Sequence, residues 1–487
     1  MSQGYFNYKM NEEATFDLFF RENPFNGGYS VACGISLALE YLKHFRFTES
    51  DINYLEKQNL FNEEFLEFLS KIRFTGSVEG VLEGTIIFPH TPIIKITSSL
   101  IEAQLVETAL LNIINYSTLI ATKAARINHS AKGGKIVEFG LRRAQGDSAY
   151  IGVRAALVGG CVGTSFVKAG EIWGCAIAGT QAHSWVQAFS SEYDSFKAYA
   201  NSFPENCILL LDTYNVLKSG LPNAIQIAKY LRSQGKELQG VRIDSGDLAY
   251  LALEVYRTFS KEGFPNISII LSNELDEYTI NSIVQHIRDQ GNNSENEKNL
   301  CEEAIKHLIY GVGTRLITGG EQGALGGVYK LVTLNGIPRI KVSENPQKTI
   351  NPGEKIVWRV SDSKGKFLAD VIGLSHENPI DVGDMIFHPI DPLKKFVIPP
   401  YVTIEPLYNK LMENGRITLK ESALGWKEGQ KNFINQFKKL DPTFKRLLNP
   451  HVYKVSLSEK LFQLKMNLIK KYSPDDIEKN NQEISNN

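Results

Sequence analysis

The run Arg242-Ile243-Asp244-Ser245-Gly246-Asp247 places a guanidinium, carboxylates and a hydroxyl in consecutive reach. Such a set suits a sugar diol or a metal-bound pyrophosphate. Arg242 and Asp244 would alternate to the same side of a strand, while Asp247 also suits the cap of a following helix. Gly311-Val312-Gly313-Thr314 offers backbone N–H groups and a hydroxyl to a phosphate, and reads equally as an ordinary glycine-rich turn. His183 follows Gly179-Thr180-Gln181-Ala182. An imidazole beside phosphate-binding donors could be a general base or a phosphoryl-accepting nucleophile; taken alone it reads as a satisfied core histidine. Arg142 and Arg143, just after Phe139, suit a flat anionic substrate or a solvated basic turn.

Several common chemistries are absent from the sequence. There is no G-x-x-x-x-G-K-[ST], no H-E-x-x-H and no G-x-S-x-G, which removes the usual P-loop, zinc-protease and α/β-hydrolase readings. Gly311 to Leu316 lacks the third glycine of a dinucleotide fingerprint. The formal net charge is -1, from 53 Lys+Arg against 54 Asp+Glu, so no global field favours a nucleic acid. The 5 cysteines are scattered without a C-x-x-C pair, which disfavours a disulfide framework or a structural zinc site. No signal peptide and no membrane-spanning apolar run is evident. A cytoplasmic protein with neither nucleic-acid nor membrane partners is expected.

These groups need a scaffold that gathers them, and the pattern from Ile136 to Thr318 supplies one. Short apolar runs end in polar or glycine residues and lead into helical stretches: Ile208 to Leu211 into Asp212, Val241 to Ile243 into Asp244, Ile267 to Leu271 into Ser272, Leu308 to Tyr310 into Gly311. Helices are predicted over Leu221 to Gln234, Leu248 to Ser260 and Leu275 to Gln290, and further strands over Ile136 to Phe139 and Cys175 to Ala178. Such βα units form a barrel or a doubly wound sheet, with chemistry at the carboxyl ends of the strands. Ser99 with Glu102 predicts a capping box opening a helix to Ile127, with a break near Asn112. The expected organisation is an N-terminal mixed α/β domain over 1–128, the α/β domain over 129–329 and strands returning to the first domain over 330–390. A helical extension over 391–472 and a polar, disordered tail over 473–487 complete it.

The ordered set Glu138-Phe139-Gly140-Leu141-Arg142-Arg143-Ala144, Gly163-Thr164-Ser165, Gly179 to Ser184, Asp212-Thr213-Tyr214, Arg242 to Asp247 and Gly311 to Thr314 closely resembles the nicotinate phosphoribosyltransferase family. Asn23 to Tyr29 and the helix Ile101 to Ile127 join the match, so the resemblance covers roughly residues 5 to 390. It implies an irregular α/β barrel of the type II phosphoribosyltransferase kind, in a homodimer. It also implies synthesis of nicotinate mononucleotide and pyrophosphate from nicotinate and phosphoribosyl pyrophosphate, coupled to ATP hydrolysis with magnesium present. By that resemblance His183 is transiently phosphorylated, and Asp212 and Asp244 act on the ribose. Arg242, Gly311, Gly313 and Thr314 hold phosphates, with Thr180 and Ser272 beside them. Phe139 stacks on the pyridine ring while Arg142 faces its anionic end, and Arg143 also binds substrate. Related nicotinamide-using enzymes carry an aspartate at the place of Ser165; a serine imposes no repulsion on a carboxylate. The family's tyrosine that stacks on the ring across the dimer belongs to an Asp-Leu-Tyr-Gln segment ahead of the stretch matched by Met1 to Phe6, so the expectation is that translation begins upstream of Met1 or that the second stacking face is lost or replaced, by Tyr5 or Tyr8.

Overall fold

The computed structural model describes residues 1–472; the tail predicted over 473–487 lies outside them. Residues Ile120–Gly323 form one compact unit. Its centre is a parallel sheet of six strands: β1 (Lys135–Glu138), β2 (Gly163–Thr164), β3 (Ile208–Leu210), β4 (Gly240–Ile243), β5 (Ser268–Leu271) and β6 (Leu308–Val312). The ladder runs β2-β1-β6-β5-β4-β3, so the first strand pairs with the last, Ile309 opposite Lys135 and Val312 opposite Glu138. A single further bridge joins Thr164 to Ile177. Among the described residues the strands thus go round in chain order, with the ladder interrupted only between Ile177 and β3.

Leu209, Val241, Ile269 and Tyr310 are buried in this sheet, the continuous apolar burial that a parallel sheet under helices requires. Helices over Leu221–Ser233, Leu248–Lys261 and Glu277–Gln290 match the predicted stretches, and each turns apolar residues inward, such as Ile227, Leu253 and Ile283. Asp247 caps the second of them, accepting from Tyr250 N at 3.1 Å, as one of its two readings required. A helix over Glu295–Lys306, capped by Ser294, was not predicted. The strand expected over Cys175 to Ala178 is reduced to the one bridge at Ile177: Gly174 ends the preceding helix in the left-handed region at φ 58, leaving too little extended chain.

The second unit comprises Met1–Leu119 and the chain from Ala324 onward. Glu13–Phe20 lies between Ile94–Ser99 and Gly327–Leu334 in a seven-stranded sheet, and Asn335-Gly336, both at positive φ, form the tight turn that returns the last strand. Lys355–Ser361 and Phe367–Leu374 do not return to that sheet. They build a separate six-stranded sheet with segments as late as Lys454–Leu457. Residues 391–472 are accordingly not a helical extension: they supply Lys395–Val397, Thr403–Pro406, Asn409–Glu413 and Lys454–Leu457 as strands besides the helices Trp426–Lys439 and Glu459–Lys471. Each of these strands finds a partner from earlier in the chain, and that pairing decides their form.

The predicted capping box at Ser99 does not form. Glu102 instead accepts from Thr75 N at 2.8 Å and from Ser98 Oγ at 2.7 Å, and the helix breaks at Val106, between Leu100–Leu105 and Glu107–Ser130, not near Asn112. Tyr5 packs against the core of this unit while Tyr8 is 82% exposed. Among the described residues no helix is long and apolar enough to cross a membrane.

Candidate active site

A cavity of about 480 Å³ opens at the carboxyl ends of the parallel strands, large enough for a ligand of nucleotide size. Five of the six strand ends contribute a group. β1 delivers Phe139 and the short turn Leu141–Arg143; β2 delivers Ser165; β4 delivers Arg242 and Asp244; β5 delivers Ser272; β6 delivers Gly311, Gly313 and Thr314. Gly179 and Thr180 complete the wall after the Ile177 bridge.

Arg242 is the hub. Its Nε donates to Ser272 Oγ at 2.9 Å and its Nη1 to Thr180 Oγ1 at 2.9 Å. Its Nη2 lies 3.3 Å from Asp244 Oδ2, and its guanidinium carbon lies 5.9 Å from the Phe139 ring centre. Ser272 Oγ in turn donates to Asp244 Oδ1 at 2.5 Å. Three strand ends and the Thr180 loop are therefore tied into one network, which fixes a rotamer-rich side chain before any ligand arrives. Arg142 and Arg143 differ: among the described residues their guanidinium groups make no ion pair or side-chain hydrogen bond, so two cations remain free to meet an anion.

Glu138, next in sequence to the wall residue Phe139, is fully buried and makes no ion pair among the described residues. Its Oε1 accepts from Gly140 N and its Oε2 from Thr164 Oγ1 at 2.6 Å. Burial raises the pKa of this carboxyl above the usual range, the two donors opposing the shift. Glu138 thereby joins β1 to β2.

Two of the predicted residues are not on the cavity wall. Asp212 Oδ2 accepts from Asp244 N at 3.0 Å and from Ser245 Oγ at 2.6 Å, so Asp212 holds the turn that carries Asp244; its Oδ1 is buried with no hydrogen-bond partner among the described residues. His183 opens the helix His183–Gln187, and its Nδ1 lies 3.2 Å from Thr213 Oγ1. That contact joins the loop after Ile177 to the end of β3, across the interruption in the ladder. Gln181 is buried close by in sequence, with neither amide atom hydrogen-bonded among the described residues.

Sequence reading missed Leu141, Gly179, Asn273 and Glu274 as wall residues. Asn273 and Glu274 both occupy the left-handed region, at φ 96 and 44, costly for side chains with a Cβ and found where a turn is over-determined by its surroundings. The available signal was an Asn two residues past the end of an apolar strand, since Asn tolerates this conformation.

No group of three or more His, Cys, Asp or Glu side chains among the described residues could cage a metal ion. An ion carried in by a pyrophosphate needs only one or two carboxylates, and Asp244, with the unpartnered Oδ1 of Asp212 behind it, fits that lesser demand.

Family models agree with this architecture along the chain. The nicotinate phosphoribosyltransferase N-terminal domain matches residues 1–115, the nicotinate phosphoribosyltransferase family model matches 134–371 and the C-terminal domain model matches 354–465. The nicotinate phosphoribosyltransferase of Bacillus subtilis is 39% identical, over 96% of this chain and 93% of its own. That of Caenorhabditis elegans is 34% identical, over 93% and 88%. The solved structure of human nicotinic acid phosphoribosyltransferase superposes with a TM-score of 0.80 at 29% identity, covering 96% of this chain and 98% of that one. With the strand-end cavity, its arginine hub and matches of this length, the chain belongs to the nicotinate phosphoribosyltransferase family.

Proposed function

We propose that the protein transfers a phosphoribosyl group from phosphoribosyl pyrophosphate to nicotinate in NAD biosynthesis, forming nicotinate mononucleotide and pyrophosphate. The observation that carries this reading is the convergence, in one cavity, of an aromatic face at Phe139, two unpaired guanidinium groups at Arg142 and Arg143, and a phosphate cradle at Gly311, Gly313 and Thr314. The pyridine nitrogen donates its lone pair to the anomeric carbon while the bond from that carbon to pyrophosphate breaks, its electron pair leaving with the pyrophosphate. Phe139 stacks on the ring, and Arg142 with Arg143 draws the carboxylate to one end, aiming the nitrogen at the ribose. Asp244 faces the ribose hydroxyls and favours positive charge developing at the anomeric carbon; Asp212 keeps Asp244 in place. Arg242 and the β6 glycines hold the phosphates. Magnesium, bound with the pyrophosphate near Asp244, would offset its charge and ease its departure.

His183 is proposed to couple ATP to the transfer. With the Nδ1 proton donated to Thr213, Nε2 carries the lone pair that attacks the terminal phosphorus of ATP; ADP leaves, and water later cleaves the phosphohistidine. A homodimer and a cytoplasmic location complete the proposal. Ser165 on the wall favours nicotinate over nicotinamide, since it sets no negative charge against the carboxylate. Offering nicotinate, nicotinamide and quinolinate together at equal concentration tests the reading. Nicotinate mononucleotide should dominate the products, and dominance of either other nucleotide would refute the substrate assignment.

A further inference from the structure

The unit formed by Met1–Leu119 and the chain from Ala324 onward contains two adjoining cavities with no place in the reaction above. One, of about 450 Å³, is walled by Tyr41, Phe45, Phe47 and Tyr54, with Leu105 behind. The other, of about 480 Å³, is lined entirely by Lys43, His44, Arg46 and Arg73. They share His44 and Arg46, so the aromatic and the cationic parts are continuous.

The elements around them explain much of the arrangement. Ile35–Lys43 and Glu63–Lys71 bring their carboxyl ends together, and Glu49–Lys57 starts beside them with the capping box Thr48/Asp51. Cations at helix carboxyl ends complement the terminal carbonyls. That accounts for Lys43, which also pairs with Glu40 at 3.4 Å, and for Arg73, whose Nη1 donates to Ile72 O at 2.6 Å. It does not account for Arg46, which stands in the loop between helices with no side-chain hydrogen bond or ion pair among the described residues. Nor does it account for Tyr54, a residue 63% exposed at the cavity wall. Tyr41 and Phe45 meet edge-on at 5.9 Å, as do Phe45 and Phe47, forming a firm aromatic wall with Tyr54 unpaired beside it.

We infer that this pair of cavities is a second ligand site, for a nucleotide: a planar base lying in the aromatic cavity and its phosphates in the cationic one. Stacking on an exposed tyrosine and charge-assisted bonds from a free guanidinium are the two interactions such a ligand needs. Each cavity falls within the size range of small-molecule sites. The cations form a compact local patch on a chain of net charge -1, which fits a single phosphorylated molecule better than a polynucleotide.

The test uses the full chain and the photoreactive nucleotide 8-azido-ADP, with phosphoribosyl pyrophosphate in excess to compete at the strand-end cavity. Label in peptides spanning Tyr41 to Leu55, reduced at least about tenfold by Arg46→Glu with Arg73→Glu and also by Tyr54→Ala, would support the site. All three substitutions are on residues that are not buried, and unchanged thermal unfolding would verify that the variants fold. Label confined to peptides of Ile120–Gly323, or label at Tyr41 to Leu55 that the variants leave unchanged, would overturn it.

Discussion

Gly311 and Phe139 approach so closely that a Cβ on Gly311 would overlap the Cδ2 and Cε2 atoms of the Phe139 ring. The glycine therefore sets the position of the aromatic face. Gly311→Ala should displace that ring, at a cost of about 1–3 kcal/mol from overpacking. The expected result is a raised KM for nicotinate with the protein still folded; an unchanged KM would show that Phe139 does not stack on the substrate.

Ser165 lies on the wall of the same cavity, with its backbone N donating to Glu138 O at 2.9 Å. A carboxylate there would face the substrate's own. Ser165→Asp should lower kcat/KM for nicotinate by at least about tenfold, roughly 1.4 kcal/mol of repulsion, and lower that for nicotinamide less. Equal losses for both substrates would contradict the proposed basis of selectivity.

His183 meets Thr213 across the interruption in the parallel ladder. His183→Ala should abolish ATP hydrolysis and phosphate incorporation while leaving slow transfer from phosphoribosyl pyrophosphate. A variant that still hydrolysed ATP at the normal rate would remove this residue from the coupling step.

Glu138 presents a buried carboxyl whose pKa in the folded state is raised by burial. Between the ordinary glutamate value and the raised one, the folded state keeps a proton that the unfolded state releases, so this group's contribution falls as pH rises through that window. Glu138→Gln keeps an acceptor for Gly140 N and should flatten that dependence with little loss of structure. Glu138→Leu leaves the Gly140 N–H and the Thr164 hydroxyl without their acceptor and should cost about 2–5 kcal/mol. Equal stability of the two variants, measured by denaturant unfolding, would contradict the account.

His90 behaves with the opposite sign. Desolvation, helped by Lys465, Arg21 and His388, lowers it from 6.5 to about 4. Between those values the unfolded state binds the proton that the folded state refuses. Stability is therefore intact above about pH 6.5 and falls as pH drops toward 4, by about 3 kcal/mol in all. His90 sits at φ 70, a conformation Asn tolerates, so His90→Asn should remove most of this acid sensitivity. Unfolding midpoints that decline equally in both proteins from pH 7 to 4 would argue against it.

The parallel sheet was legible because its strands are buried on both faces and write their period as short apolar runs, as at Ile208 to Leu211 and Ile267 to Leu271. The wall residues Phe139, Arg242, Asp244, Ser272 and Thr314 were legible because they stand at or just past the ends of such runs. The pairing of β1 with β6 was not, because neighbours in a ladder leave no local mark. The same reason hid the second sheet, in which Phe367–Leu374 pairs with Lys454–Leu457 far along the chain. Ser99 and Glu102 had the spacing of a cap, yet Thr75 captured the carboxylate; tertiary donors overrode a local motif. Asn273 and Glu274 escaped notice because their place on the wall depends on backbone conformation, not on residue type alone.

The most direct test is pyrophosphate release by the purified chain supplied with phosphoribosyl pyrophosphate and magnesium, with and without nicotinate and ATP. The account predicts release that requires nicotinate, is matched by an equal amount of nicotinate mononucleotide, and is accelerated by ATP. Absence of nicotinate mononucleotide under all of these conditions would contradict it.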